Sequence, residues 1–252
     1  RRQRRQRAAV RRRGAQRVED DDHRGDVVVC MALQCRLDEL LARHRRIAIR
    51  AQLVTCQTDG VRLREYAPQP VRPAKEGTMR ALKAAKKAGI KKIVLTSSIV
   101  AIAYGHNKKI CSGDDWTDTQ KDVGAYTKSK TLAEKDAWNF INADENKELR
   151  MTTIHPGFVM GPLLSDDTQG ASADFMAKMI LGKFPALPDV YMHISDVRDT
   201  AKLHVQALKS DESDGKRILT TSSKDYHITK IAKIAKDNGF SKISTKTIPT
   251  LI

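Results

Sequence analysis

The chain has 252 residues, 40% hydrophobic and 30% charged, and a formal net charge of +16. That length allows one large domain or two small ones with a real core, and no apolar run approaches a bilayer span. Arginines open the sequence but no apolar stretch follows them as in a secretory leader, so a cytoplasmic protein is expected. Cys30, Cys35, Cys56 and Cys111 form no CxxC pair and no metal-ligand spacing; free thiols and no metal site are expected.

The positive charge is unevenly composed. Residues 1–74 hold 18 arginines and no lysine, whereas residues 75–252 hold 4 arginines and 24 lysines. Selection for charge alone would not sort two near-equivalent cations so cleanly. Residues 1–70 are therefore expected to be an anomalous segment, disordered over 1–25, of the kind an out-of-frame or intron-derived stretch would encode. An arginine-rich arm on nucleic acid is the competing reading of "RRQRRQR". It is disfavoured, because no aromatics are interleaved and "EDDD" follows, which repels phosphate. Within this segment "DVVVCMA" (26–32), "LDELLARH" (37–44) and "IAIRAQLVTC" (47–56) could form strand, helix and strand. Gly14, Gly25 and Gly60 stand too far apart for a GxGxxG turn.

From residue 71 the pattern becomes regular. "PAKEGTMRALKAAKKAGI" (73–90) predicts a helix stopped by Gly89, and "KKIVLTSSIV" (91–100) a short buried strand running into hydroxyls. A helix is predicted over 124–143, with Leu132, Ala133, Ala137 and Phe140 near one face. A strand follows over 149–157, broken by Pro156 and Gly157. Helices are predicted over 172–183 and 196–210, the second capped by Asp196; a strand over 216–223; and an amphipathic helix over 228–239. Strands alternating with helices predict an α/β fold around a parallel sheet.

The chemistry concentrates in three places. "GAYTKSKTLAEKDAW" (124–138) puts Tyr126 and Lys130 one turn apart on a helix face. A lysine stem covering a ring would look the same. "LTSS" ends a strand with Ser98, at the edge where parallel sheets bind ligands. "HPGFVMGP" (155–162) ends the next strand at a corner where backbone can approach a ligand.

These residues, with "PAKEGT", "DVRDTAKLHVQAL" and "STKTIPTLI", resemble the extended short-chain dehydrogenase/reductases, in their dihydroflavonol reductase, cinnamoyl-CoA reductase and aldehyde reductase branch. The resemblance covers about residues 71–252. It implies a Rossmann-type doubly wound sheet whose N-terminal βαβ unit is degraded or missing, with a small, partial substrate lobe. It also implies a C-terminal truncation, since family members continue beyond a stretch like "TIPTLI". The family's glycine fingerprint and its arginine for a cofactor 2′-phosphate are not found upstream.

The resemblance implies reduction of an aldehyde or ketone, with NADP(H) favoured over NAD(H). Ser98, Tyr126 and Lys130 would be catalytic: Tyr126 the proton donor, Lys130 lowering its pKa, Ser98 holding the substrate oxygen. Thr96, Ser97, Tyr126, Lys130, Pro156, Gly157, Val159 and Ser172 would meet the cofactor. His155, His193, His204, Trp116 and Trp138 are read as structural, and Asp196, Arg198 and Asp199 as a cap and ion-pair network. The substrate pocket would draw on the segment from about residue 160 onward. A small-molecule carbonyl substrate, no membrane, and a monomer or homodimer complete the expectation. Two alternatives remain: a non-catalytic fragment unable to bind cofactor, and an epimerase-like or hydroxysteroid-dehydrogenase-like relative with the same serine, tyrosine and lysine.

Overall fold

The computed structural model describes residues 26–30, 71–162 and 171–248. The segments at 37–44 and 47–56, and the disorder expected over 1–25, lie outside them. Four strands form a wholly parallel sheet: β1 (Asp26–Cys30), β2 (Lys92–Thr96), β3 (Arg150–Pro156) and, at its far edge, Arg217–Thr220, in the order β1–β2–β3–Arg217–Thr220. The registers pair Val28 with Val94, Val94 with Thr152, and Ile154 with Ile218. This is the 1-4-5-6 portion of the doubly wound order 3-2-1-4-5-6, with β1 in the place of the first strand.

Strand periodicity explains how the sheet is covered. In β2, Ile93 and Leu95 face one side and pack with Leu82 and Ala85 of α1 (Val71–Lys87) and Ala137 and Ile141 of α2 (Ala125–Ile141). Val94, between them, faces the other side with Ile154, Ala207 and Leu203. All five β2 residues are buried, as a parallel strand sandwiched by helices should be. Helix α1 ends in a Schellman arrangement: Ile90 N–H donates to Ala85 C=O and Gly89 N–H to Lys86 C=O, with Gly89 at φ +74°. The predicted stop at Gly89 is thus the observed one.

A second lobe contains β4 (Phe158–Met160), α3 (Ala171–Ile180), β5 (Leu187–Pro188), β6 (Tyr191–Asp196) and α4 (Val197–Lys209), which spans back to the main sheet. After β7 (Arg217–Thr220) come β8 (Asp225–His227), α5 (Ile228–Asp237) and β9 (Thr247–Ile248). β6 pairs parallel with β4 and antiparallel with β8. Met179, Leu187, Ile228, Ile231, Ala232 and Ile243 form this lobe's core. Among the described residues no helix is long and apolar enough to cross a membrane.

The strand predicted over 91–100 is shorter than expected. It stops at Thr96; Ser98, at φ −161° and ψ 153°, caps a 3-10 turn over Ile99–Ala101 and accepts from Val100 N–H at 3.4 Å. The apolar run after Ser98 thus enters a helical turn under the sheet end rather than extending the strand.

Leu82 is fully buried where α1 meets β2. Leu82→Ala is expected to cost about 2–5 kcal/mol, read as a lowered urea midpoint with an unchanged m-value.

Candidate functional site

A strand end and the first turns of a helix meet at the carboxyl edge of the main sheet. β2 delivers Ser98, α2 delivers Tyr126 in its first turn, and Lys130 follows one turn later. The Ser98 hydroxyl lies near enough to the Tyr126 phenol to act on its pKa. The Lys130 ammonium lies 5.9 Å from the centre of the Tyr126 ring, and its side chain is buried. Tyr126 is 53% exposed, so the ring is open to a ligand while its neighbours are not.

The phenol's pKa is raised. Burial is the larger cause, and the neighbouring Ser98 hydroxyl pulls it back without cancelling it. With half the ring accessible the desolvation is partial, and its direction is the informative part. This direction is opposite to the lowering that the resemblance implies for Lys130, whose ammonium lies 5.9 Å from the ring centre.

The other expected cofactor residues divide. Pro156 ends β3 opposite Thr220, and Gly157 follows it with its N–H donating to Ser195 Oγ at 2.8 Å. Ser195 in turn donates to Thr220 C=O, joining β6 to β7. A Cβ on Gly157 would sit 2.2 Å from the His193 carbonyl oxygen, so the corner admits glycine alone. Val159 pairs with Ser195 across β4 and β6. The hydroxyls of Thr96 and Ser97 turn inward instead. Thr96 Oγ1 lies 2.7 Å from His204 Nε2 on α4, and Ser97 Oγ donates to Glu134 at 2.6 Å. The Ser97 N–H is also engaged, by Ile154 C=O at 2.7 Å. Ser172 lies on α3 in the second lobe.

Asp196 caps α4 as expected. It accepts from Arg198 N–H at 2.8 Å, and the Arg198 guanidinium reaches it at 2.9 and 2.5 Å. His204 is buried within α4, bonded to Thr200 C=O at 2.7 Å, and burial lowers its pKa. His193 lies exposed on strand β6.

One residue at the heart of this arrangement was not singled out from the sequence. Glu134, on α2, is fully buried. Its carboxylate accepts from Ser97 Oγ (2.6 Å), His155 Nε2 (2.9 Å), Thr153 Oγ1 (3.2 Å), Trp138 Nε1 (3.2 Å) and Arg217 Nε (2.8 Å). Arg217 reaches on to the carbonyls of Gly113 (2.7 Å) and Asp115 (2.5 Å) and stacks on Trp116, its guanidinium carbon 3.6 Å from the ring centre. Burial would raise the Glu134 pKa; the hydrogen bond and charge of His155, and then those of Arg217, outweigh it and hold the carboxyl at about 2.

The second lobe contains a cavity of about 800 Å³ between α4 and α5, floored by Met160, Met176, Ile194, Tyr226 and Ile231. Neither Ser98, Tyr126 nor Lys130 lines it. All of its lining residues lie from residue 160 onward, the part of the chain expected to shape a substrate pocket. Among the described residues no cluster fits a metal ion.

Because the Glu134 carboxyl is depressed from 4.5 to about 2 on folding, its stabilisation is present above pH 4.5 and is lost as pH falls towards 2. Glu134→Gln is expected to destabilise the protein by about 3–5 kcal/mol at pH 7, leaving Arg217 uncompensated. The gap from wild type should close progressively below pH 4.5, as read by urea unfolding at a series of pH values.

Comparison with known proteins agrees with this architecture. The chain is 31% identical over 174 residues to cinnamoyl-CoA reductase of Medicago truncatula, covering 66% of this chain and 51% of that one. It is 27% identical over 167 residues to an NADPH-dependent methylglyoxal reductase of Saccharomyces cerevisiae, covering 59% and 48%. The crystal structure of Gre2 from Candida albicans in complex with NADPH superposes with a TM-score of 0.57 at 28% identity, over 71% of this chain and 57% of that one. The chain thus spans about half the length of the curated relatives it matches. The family model of the NAD dependent epimerase/dehydratase family matches residues 21–220, a span that takes in β1, the Ser98–Tyr126–Lys130 site, the Pro156–Gly157 corner and β7, and the chain belongs to that family.

Proposed function

We propose that the protein is an NADP(H)-dependent reductase of aldehydes or ketones. The observation that carries this reading is the convergence of Ser98 and Tyr126 at the carboxyl edge of a parallel sheet, with Lys130 one turn along. The named relatives support it: one is a cinnamoyl-CoA reductase, one an NADPH-dependent methylglyoxal reductase, and the Candida albicans Gre2 structure holds NADPH.

The donor set fits the nicotinamide end of such a cofactor. It offers a buried ammonium for ribose hydroxyls and, beyond Pro156, a backbone corner stripped of side chain. When bound, the cofactor supplies hydride to the carbonyl carbon. The protein's residues deal with the oxygen. Ser98 and Tyr126 are neighbours, so a carbonyl oxygen entering between them accepts from both hydroxyls as negative charge develops on it. Tyr126 then gives up its phenolic proton to that oxygen. A raised pKa keeps the phenol protonated at neutral pH but makes it a weaker acid, so the transfer depends on stabilising the phenolate. Lys130 steadies the phenolate left behind, and its field strengthens as substrate displaces water from the exposed ring face.

The test is NADPH oxidation with methylglyoxal and with an aromatic aldehyde as probes. Tyr126→Phe should lower kcat by roughly 10²–10⁴-fold with cofactor affinity retained; unchanged turnover in this variant would remove the phenol from the reaction. Gly157→Ala should raise the KM for NADPH, because the new methyl displaces the corner from the His193 carbonyl.

A further inference from the structure

Tyr126 and Glu134 lie on the same helix, eight residues and about 12 Å apart along its axis, so Glu134 does not touch the phenol. They are nevertheless joined by a second route. Glu134 holds Ser97 by a 2.6 Å bond, and Ser98, the next residue, neighbours Tyr126. Helix, carboxylate and strand end are thus tied together one residue from the serine that faces the phenol. Ser97 has little freedom to relax out of this tie, since its N–H is fixed to Ile154 C=O at 2.7 Å. The carboxylate is equally fixed, because Arg217 and His155 hold it from the opposite side.

We infer that Glu134 is a positioning residue for the Ser98–Tyr126 pair: its bond to Ser97 sets how far the end of β2 stands from the first turn of α2, and so sets the spacing of the two hydroxyls. This inference rests on the reading of Ser98 and Tyr126 as the reacting pair. It adds that the pair is tuned from a carboxylate that meets neither substrate nor cofactor. A purely structural Glu134 would stabilise the fold without this link to the phenol.

Tyrosine labelled at Cζ gives a readout independent of turnover. Tyr126 is assigned by its loss in Tyr126→Phe, and Ser98→Ala defines the shift that accompanies loss of the neighbouring hydroxyl. Glu134→Gln is expected to move the Tyr126 resonance in the same direction and by most of that amount. Arg72→Gln, which breaks only the exposed Arg72–Glu76 pair, should leave it in place. If Glu134→Gln does not fold, Ser97→Ala decides. It cuts the same link from the strand side, leaves the carboxylate its other donors, and should produce the same shift. A Tyr126 signal unmoved in folded Glu134→Gln or in Ser97→Ala, or moved equally by Arg72→Gln, overturns the inference. Absence of NADPH turnover in the wild type would instead end the reductase reading and leave the resonance result standing.

Discussion

A carboxylate without access to water governs the geometry of this protein. Burying an ion costs several kcal/mol after relaxation, and Glu134 is tolerated only because five side chains converge on it. Those five come from three elements besides its own helix position: the end of β2, the middle and end of β3, and the start of β7. Ser97, Thr153 and His155 can all reach it because strand residues two apart share a face. One charge therefore joins the apolar contacts of Ala137 and Ile141 in specifying how α2 sits on the sheet. It also reaches the loop before α2, because Arg217 spends its remaining donors on Gly113 and Asp115.

The same edge of the sheet is where the two lobes are joined. Ser195 belongs to the second lobe's sheet, yet it accepts from Gly157 and donates to Thr220, both at carboxyl ends of main-sheet strands. The corner after Pro156 is thus fixed from both sides, with no space for a side chain. A binding edge built on strand ends, with each hydroxyl bonded to a second element, is rigid before any ligand arrives. The half-exposed ring of Tyr126 is the open element in an otherwise closed arrangement.

Much of this was readable from residue types alone. The helices at 71–87, 125–141, 197–209 and 228–237 and the strands at 92–96 and 150–156 fall where periodicity and glycine stops place them. Tyr126, Lys130 and Ser98 were legible because their spacing forms a motif, and Asp196 because it precedes a helical run. β6 and β8 were not. "YMHISD" alternates exposed and part-buried residues with little apolar contrast, and β8 is three residues long. Glu134 was hidden for a different reason. On α2 the apolar pattern pointed to Leu132, Ala133, Ala137 and Phe140, of which only Ala133 and Ala137 are fully buried. The stripe that faces the sheet also includes Thr127, Lys130, Thr131 and Glu134. A polar stripe is read as solvated unless its partners on distant strands are known. The one available signal was the recurrence of Tyr126, Lys130 and Glu134 at four-residue steps.

The chain has two tryptophans, and the buried charge holds both. Trp138 donates its indole N–H to Glu134, and Trp116 lies flat under the guanidinium of Arg217. Indole emission is sensitive to neighbouring charge, so the protein's intrinsic fluorescence originates almost wholly beside this one ion pair. An optical signal usually averaged over a fold is here confined to its central knot, and the colour of the emitted light is a direct gauge of whether that knot is tied.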